Sequence, residues 1–151
     1  FWWHKYGREH VERLWVIEDD TVFTGNYEQM MRTLADGLPT DSDLITFKDF
    51  SAIPGNWVWA RQMHEGFDDL TVVGEAAMTW MTFYGVSKNF LSRLTEMQLK
   101  GVTGHIEWFP STIALREGFR MTFVEHPYRG TLKYHQSVGS TFTYCCGAYT
   151  A

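Results

Sequence analysis

Cysteines, runs of basic residues and long apolar stretches are all scarce in this chain, and each scarcity excludes something. The only cysteines, Cys145 and Cys146, are adjacent and near the end of the 151 residues. Neighbours in sequence cannot staple distant parts of a fold to each other, and no CxxC spacing accompanies them, so they are read as thiols with no catalytic part. No run of Lys or Arg appears, and 13 basic against 18 acidic side chains leave a formal charge of -5. Nucleic-acid binders concentrate cations on one face, so no nucleic-acid partner is expected. The apolar stretches fall far short of the roughly 20 residues of a membrane-spanning helix, and no signal-peptide pattern opens the chain, so any membrane anchor is expected only upstream of Phe1. Internal repeats and linkers are missing too, and residues 1–151 are expected to form a single domain with a sizeable core.

Aromatic residues are abundant by contrast, at 17%, with seven Trp and seven Tyr. Such rings stack on sugars and bases, but they are also large core residues, and composition alone favours the core. The first residue is Phe1, with no initiator methionine, and Trp2, Tyr6, His10 and Leu14 recur near helical spacing. The chain is therefore expected to be N-terminally truncated, opening inside an amphipathic helix.

Turn and cap residues mark the elements that follow. Leu14-Trp15-Val16-Ile17 reads as a strand. Asn26 caps a helix with Gln29 three residues on, an apolar stripe of Tyr27, Met30, Met31 and Leu34, and Gly37 at its end. Leu44 to Phe47 is a strand, and Ser51 to Asp69, with its Trp57-Val58-Trp59 cluster, a long loop. Thr71 to Val73 and Met78 to Tyr84 are strands, the second broken by Gly85. Ser87 caps a helix with Phe90, Leu91, Leu94 and Met97 as its stripe and Gly101 as its stop, and a further helix runs from Ile106 to Glu117 with Pro110 in its first turn. Phe119 to Val124 is the last strand, and 128–151 a loop-rich tail. Alternating strands and helices predict an α/β fold.

The most informative residues are Glu18-Asp19-Asp20, directly after the first strand. Carboxylates crowded at a strand end repel one another and resist desolvation, so such a block is expected to hold a cation or receive a proton. Strand alternation directs Glu18 and Asp20 to one side, a donor set suited to a hard divalent ion, Mn²⁺ or Mg²⁺, that leaves positions open for phosphate oxygens. Ligands of α/β sheets also gather at strand carboxyl ends. A solvated acidic turn is the competing explanation. Glu107 stands near a helix start, where the dipole keeps a carboxylate ionised while Trp108 and Phe109 desolvate it, as a general base near neutrality requires. A first-turn glutamate that merely stabilises the helix has the same sequence.

A hydrophobic strand running into Glu18-Asp19-Asp20 resembles the DxD-type motif of nucleotide-sugar-dependent glycosyltransferases of the GT-A fold. The order that follows is similar as well, from the capped helix to the strand ending at Tyr84 and the late helix with an acid at its start. The resemblance spans about Leu14 to Val124. It implies a GT-A-like mixed sheet flanked by helices, with the N-terminal βαβ portion of that fold lying before Phe1. By the same resemblance Glu18, Asp19 and Asp20 bind the nucleotide-sugar donor, Asp20 and Glu18 ligate the metal with His135 from the C-terminal region, and Glu107 is the base of an inverting transfer. Glu75, Trp57, Trp80 and Trp108 would meet the acceptor, a hydroxyl of a glycan, protein or small molecule. Two alternatives remain. A metal-dependent phosphoester or diphosphate hydrolase would use the same acids but needs a second cluster, and only Asp41, Asp43 and Asp49 offer one. A non-catalytic glycan-binding module would use the tryptophans alone.

Overall fold

A computed structural model describes residues 3, 7, 9–18, 22–23, 25–47, 51–52, 76–79, 81, 83–124, 131–137 and 140–146, with backbone alone for the strands within 22–23, 51–52 and 131–146. Its centre is a four-stranded mixed sheet. Strand β1 (Arg13–Ile17) pairs antiparallel with β6 (Phe83–Ser87), β6 antiparallel with β3 (Leu44–Thr46), and β3 parallel with β7 (Met121–Phe123). Strands β1, β3 and β7 therefore all finish at the end of the sheet where β6 begins. A short ladder joins β4 (Ser51–Ala52) to β5 (Ala77–Met78), and a second sheet holds β2 (Val22–Phe23), β9 (Ser140–Cys146) and β8 (Thr131–Ser137) in the order β2-β9-β8.

Helices cover both faces of the central sheet, as alternating strand faces demand when both are apolar. Helix α1 (Tyr27–Gly37) lays Met30 and Leu34 on Ile45, Phe47, Phe83 and Val124, with Trp15 at the margin. On the opposite face α2 (Lys88–Leu99) and α3 (Phe109–Glu117) bring Phe90, Leu94, Phe109 and Ile113 onto Leu44 and Val86, with Leu14 and Tyr84 half-buried beside them. The fold is α/β, a mixed sheet flanked by helices.

The caps act as read. Asn26 Oδ1 accepts from the Gln29 amide at 3.0 Å, and Ser87 Oγ from the Phe90 amide at 3.2 Å. Three elements depart from expectation. Met78 to Tyr84 is not one strand: its start belongs to the β4–β5 ladder and its end to β6. Gly85 continues that strand instead of breaking it, because the Trp15 ring lies where its side chain would go, 3.0 Å from an added Cβ. Residues 128–151 include a seven-residue-by-seven-residue hairpin, β8 against β9, where the polar composition suggested a tail. Leu14 stands in β1, as the strand reading of Leu14 to Ile17 has it, and packs against the α2–α3 core. The expected strand Thr71 to Val73 and most of the aromatic loop lie outside the described residues.

Candidate functional site

Glu18 follows the last residue of β1 and is half-buried at the sheet end shared with the finish of β3 and β7. Val16 opposes Tyr84 across the β1–β6 ladder, and alternation carries Glu18 to that same face, the one covered by α2 and α3. The two side chains interact electrically. Burial, and then the Glu18 carboxylate, push the Tyr84 phenol up to about 12, so Tyr84 keeps its proton at any physiological pH.

Glu107 occupies the turn that leads into α3 and is half-buried. The Thr79 amide donates to the Glu107 carbonyl at 3.0 Å, tying this turn to the segment that approaches β6. One turn of helix further on, Thr112 Oγ1 clamps the same segment, accepting from the Ala77 amide and donating to the Ala77 carbonyl, both at 3.2 Å. Gly104 permits the turn's shape: a Cβ there would meet the Trp108 ring at 2.5 Å. Phe83 opposes Ile17, so Glu18 stands at the end of the sheet where β6 begins.

The C-terminal hairpin pairs through β9 with β2, the strand that follows the acidic block in sequence. Val22, four residues after Glu18, is in register with Tyr144, and Tyr144 with Lys133. His135 pairs with Phe142, two positions from that row toward the side on which the chain arrives from Glu18. Asp19, Asp20, Trp57, Glu75 and Trp80 lie outside the described residues, as does the side chain of His135. Trp108, expected at the acceptor, is 0% exposed and stands edge-on to Phe109 at 6.1 Å. It is a core residue, with no ring face turned to solvent. Among the described residues no three His, Cys, Asp or Glu side chains converge as a metal site would require, Glu18 being the one member of the acidic block in that set.

A cavity of about 700 Å³ lies at the opposite end of the sheet, bounded by Arg13, Trp15, Leu38, Asp43 and Lys88 among others. Most of its polar groups are engaged within the protein, although Arg13 Nη1 is buried with no hydrogen-bond partner among the described residues. Arg13 donates to the Ser42 and Thr40 carbonyls at 2.7 and 3.1 Å, Ser87 Oγ donates to Asp43 at 2.6 Å, Lys88 pairs with Glu12 at 3.0 Å, and Arg120 pairs with Asp41. Asp43 also accepts from the Arg120 amide at 3.0 Å, which joins the starts of β3 and β7. This end is a polar seam of structure. Sequence reasoning passed over it, although Asp43, directly before a strand, was its visible signal. Asp41 and Asp43, weighed as a second acidic cluster, are thereby accounted for.

With this geometry in hand, one family model matches the chain, over residues 26–142: a protein family of unknown function, DUF3405. The chain belongs to the DUF3405 family. The DUF3405 match takes in α1, Glu107 and His135, and begins just after the acidic block. No curated protein and no solved structure matches the chain. No helix among the described residues is long and apolar enough to cross a membrane.

Proposed function

We propose that this DUF3405 protein is a GT-A-like glycosyltransferase that moves a sugar from a nucleotide-sugar donor to a hydroxyl acceptor with inversion. The observation that carries the proposal is the juxtaposition at one sheet end. β1 delivers Glu18 to the α3 face where β6 begins, and the Thr79–Glu107 bond ties the α3 turn to the approach to β6. The reading needs one acidic group at the diphosphate and another at the acceptor, and it gives these parts to Glu18 and Glu107, with His135 of the C-terminal hairpin as a further ligand.

In this mechanism Glu18, Asp20 and His135 form the ligand set for a divalent cation, Mn²⁺ or Mg²⁺, an oxygen-rich set that suits a hard ion. When bound, the ion supplies charge neutralisation for the leaving diphosphate. Asp19 contacts the donor. Glu107 takes the proton from the acceptor hydroxyl as its oxygen attacks the anomeric carbon. The bond from that carbon to the diphosphate oxygen breaks on the opposite side, and the nucleoside diphosphate departs with the electron pair. Tyr84, held as a phenol, adds no charge beside Glu18.

Glu107→Gln is the direct test. A correctly folded variant should lose at least about 100-fold in transfer, the lower range for a general base. Wild-type transfer by that variant would falsify the assignment. Donor-dependent modification of an acceptor, with free phosphate absent from simple esters, distinguishes transfer from hydrolysis, and sugar binding that survives Asp20→Ala without metal would instead favour a binding module.

A further inference from the structure

The turn before α3 is built around a histidine. The His105 carbonyl accepts from the Trp108 amide at 3.1 Å and from the Phe109 amide at 2.9 Å, so His105 opens the hydrogen-bonded turn that precedes α3, whose own N-cap is Trp108. The His105 ring closes the same turn, its Nδ1 accepting from the Glu107 amide at 3.3 Å. A side chain that accepts from the amide two residues on mimics a backbone turn and caps it. Asn and Asp usually do this with an oxygen, and here an imidazole nitrogen does it.

We propose that His105 is a positioning residue for Glu107, using an unprotonated Nδ1 to cap the turn that presents the Glu107 side chain to the acceptor. The proposal rests on the assignment of Glu107 as the base. An Nδ1 that accepts places the single ring proton of a neutral imidazole on Nε2. Protonating Nδ1 would set N–H against N–H, release the Glu107 amide and alter the turn. Burial already pushes the His105 pKa down, in the direction that protects the cap. The elements packed here bring few charges. Ala76 to Thr79 have none, α3 carries Arg116 and Glu117 at its other end, and α2 carries Arg93 and Glu96 beside Glu117, so among the described residues Glu107 is the charged group within the turn.

Long-range ¹H–¹⁵N spectra of the intact protein read the tautomer without any substrate. The expected result is a proton on Nε2 at neutral pH, a His105 midpoint below the ordinary histidine range, and a Glu107 amide resonance that shifts with the same midpoint. A proton on Nδ1, or a Glu107 amide indifferent to His105 titration, overturns the proposal. In transfer assays with a panel of UDP- and GDP-sugars, His105→Ala should lower kcat about fivefold near neutrality, the effect of losing a typical cap. His105→Asn keeps an acceptor and cannot titrate, so it should restore kcat and remove the acid limb of the pH profile that His105 causes. An Asn variant no better than Ala overturns the proposal, even if the Ala variant fails to fold. Full activity in Glu107→Gln with the tautomer signature intact would overturn the transferase assignment instead, so the two failures are distinguishable.

Discussion

Gly104 and Trp108 decide whether Glu107 faces the site. Trp108 is fully buried, so its ring has no free space into which it can retreat, and an added Cβ at 2.5 Å forces the turn or the ring to move. Gly104→Ala should therefore destabilise the protein by about 1–3 kcal/mol, the usual cost of overpacking. A shift in the denaturant midpoint at unchanged slope would measure it, and an unchanged midpoint would refute the close approach. Gly85 is bound by a similar contact from the Trp15 ring, itself tilted against Phe83 at 5.3 Å. Gly85→Ala should cost stability too, and less in a Trp15→Leu background, so a double-mutant cycle with no coupling would contradict the packing described. The acidic block and Glu107 stood out in sequence as carboxylates at element ends, where a functional acid and a solvated turn or helix-stabilising glutamate look alike. Trp108 was misjudged because an aromatic residue beside a catalytic acid and one in the core look alike until burial is known. The place of His105 in the turn was not legible, because it depends on a single ring nitrogen meeting an amide two residues on.

Helices α2 and α3 are joined at their solvent side by Arg93, which pairs with Glu117 at 2.7 Å and with Glu96 at 3.4 Å. The bond to Arg93 holds the Glu117 carboxyl below its ordinary range. A depressed carboxylate contributes stability above its unfolded pKa and loses it as pH falls through the folded value. Glu117→Gln should thus cost under about 1 kcal/mol near pH 7, since both partners are partly solvated, and nothing measurable near pH 2. Thermal unfolding at the two pH values checks this, and an equal cost at both would count against the pairing. Element boundaries were legible where a side chain does local work, as at Asn26 and Ser87. They were not where long-range pairing decides, as when one apolar run divides between β5 and β6 or a Thr- and Tyr-rich tail becomes the β8–β9 hairpin.

Across the whole molecule the central sheet separates two kinds of chemistry. One end is closed by internal pairs around Arg13, Asp43 and Arg120, so Asp43→Ala should loosen the starts of β3 and β7 together and cost about 2–4 kcal/mol, two bonds to a charged acceptor being lost. The other end gathers strand finishes, Glu18, the α3 turn and, through β2 and β9, the C-terminal hairpin. The α/β class was readable from alternation alone, whereas the place of β6 between β1 and β3 and the pairing of β2 with the hairpin are set by long-range contacts that no local pattern encodes. Calorimetric titration of the intact protein with UDP and GDP, with and without Mn²⁺, tests the proposal of a cation-dependent diphosphate site most directly. Binding of one of the nucleotides only when Mn²⁺ is present, abolished by Asp20→Ala and preserved in Glu107→Gln, is the expected result. Equal binding with and without the ion, or binding that Asp20→Ala leaves intact, would contradict it.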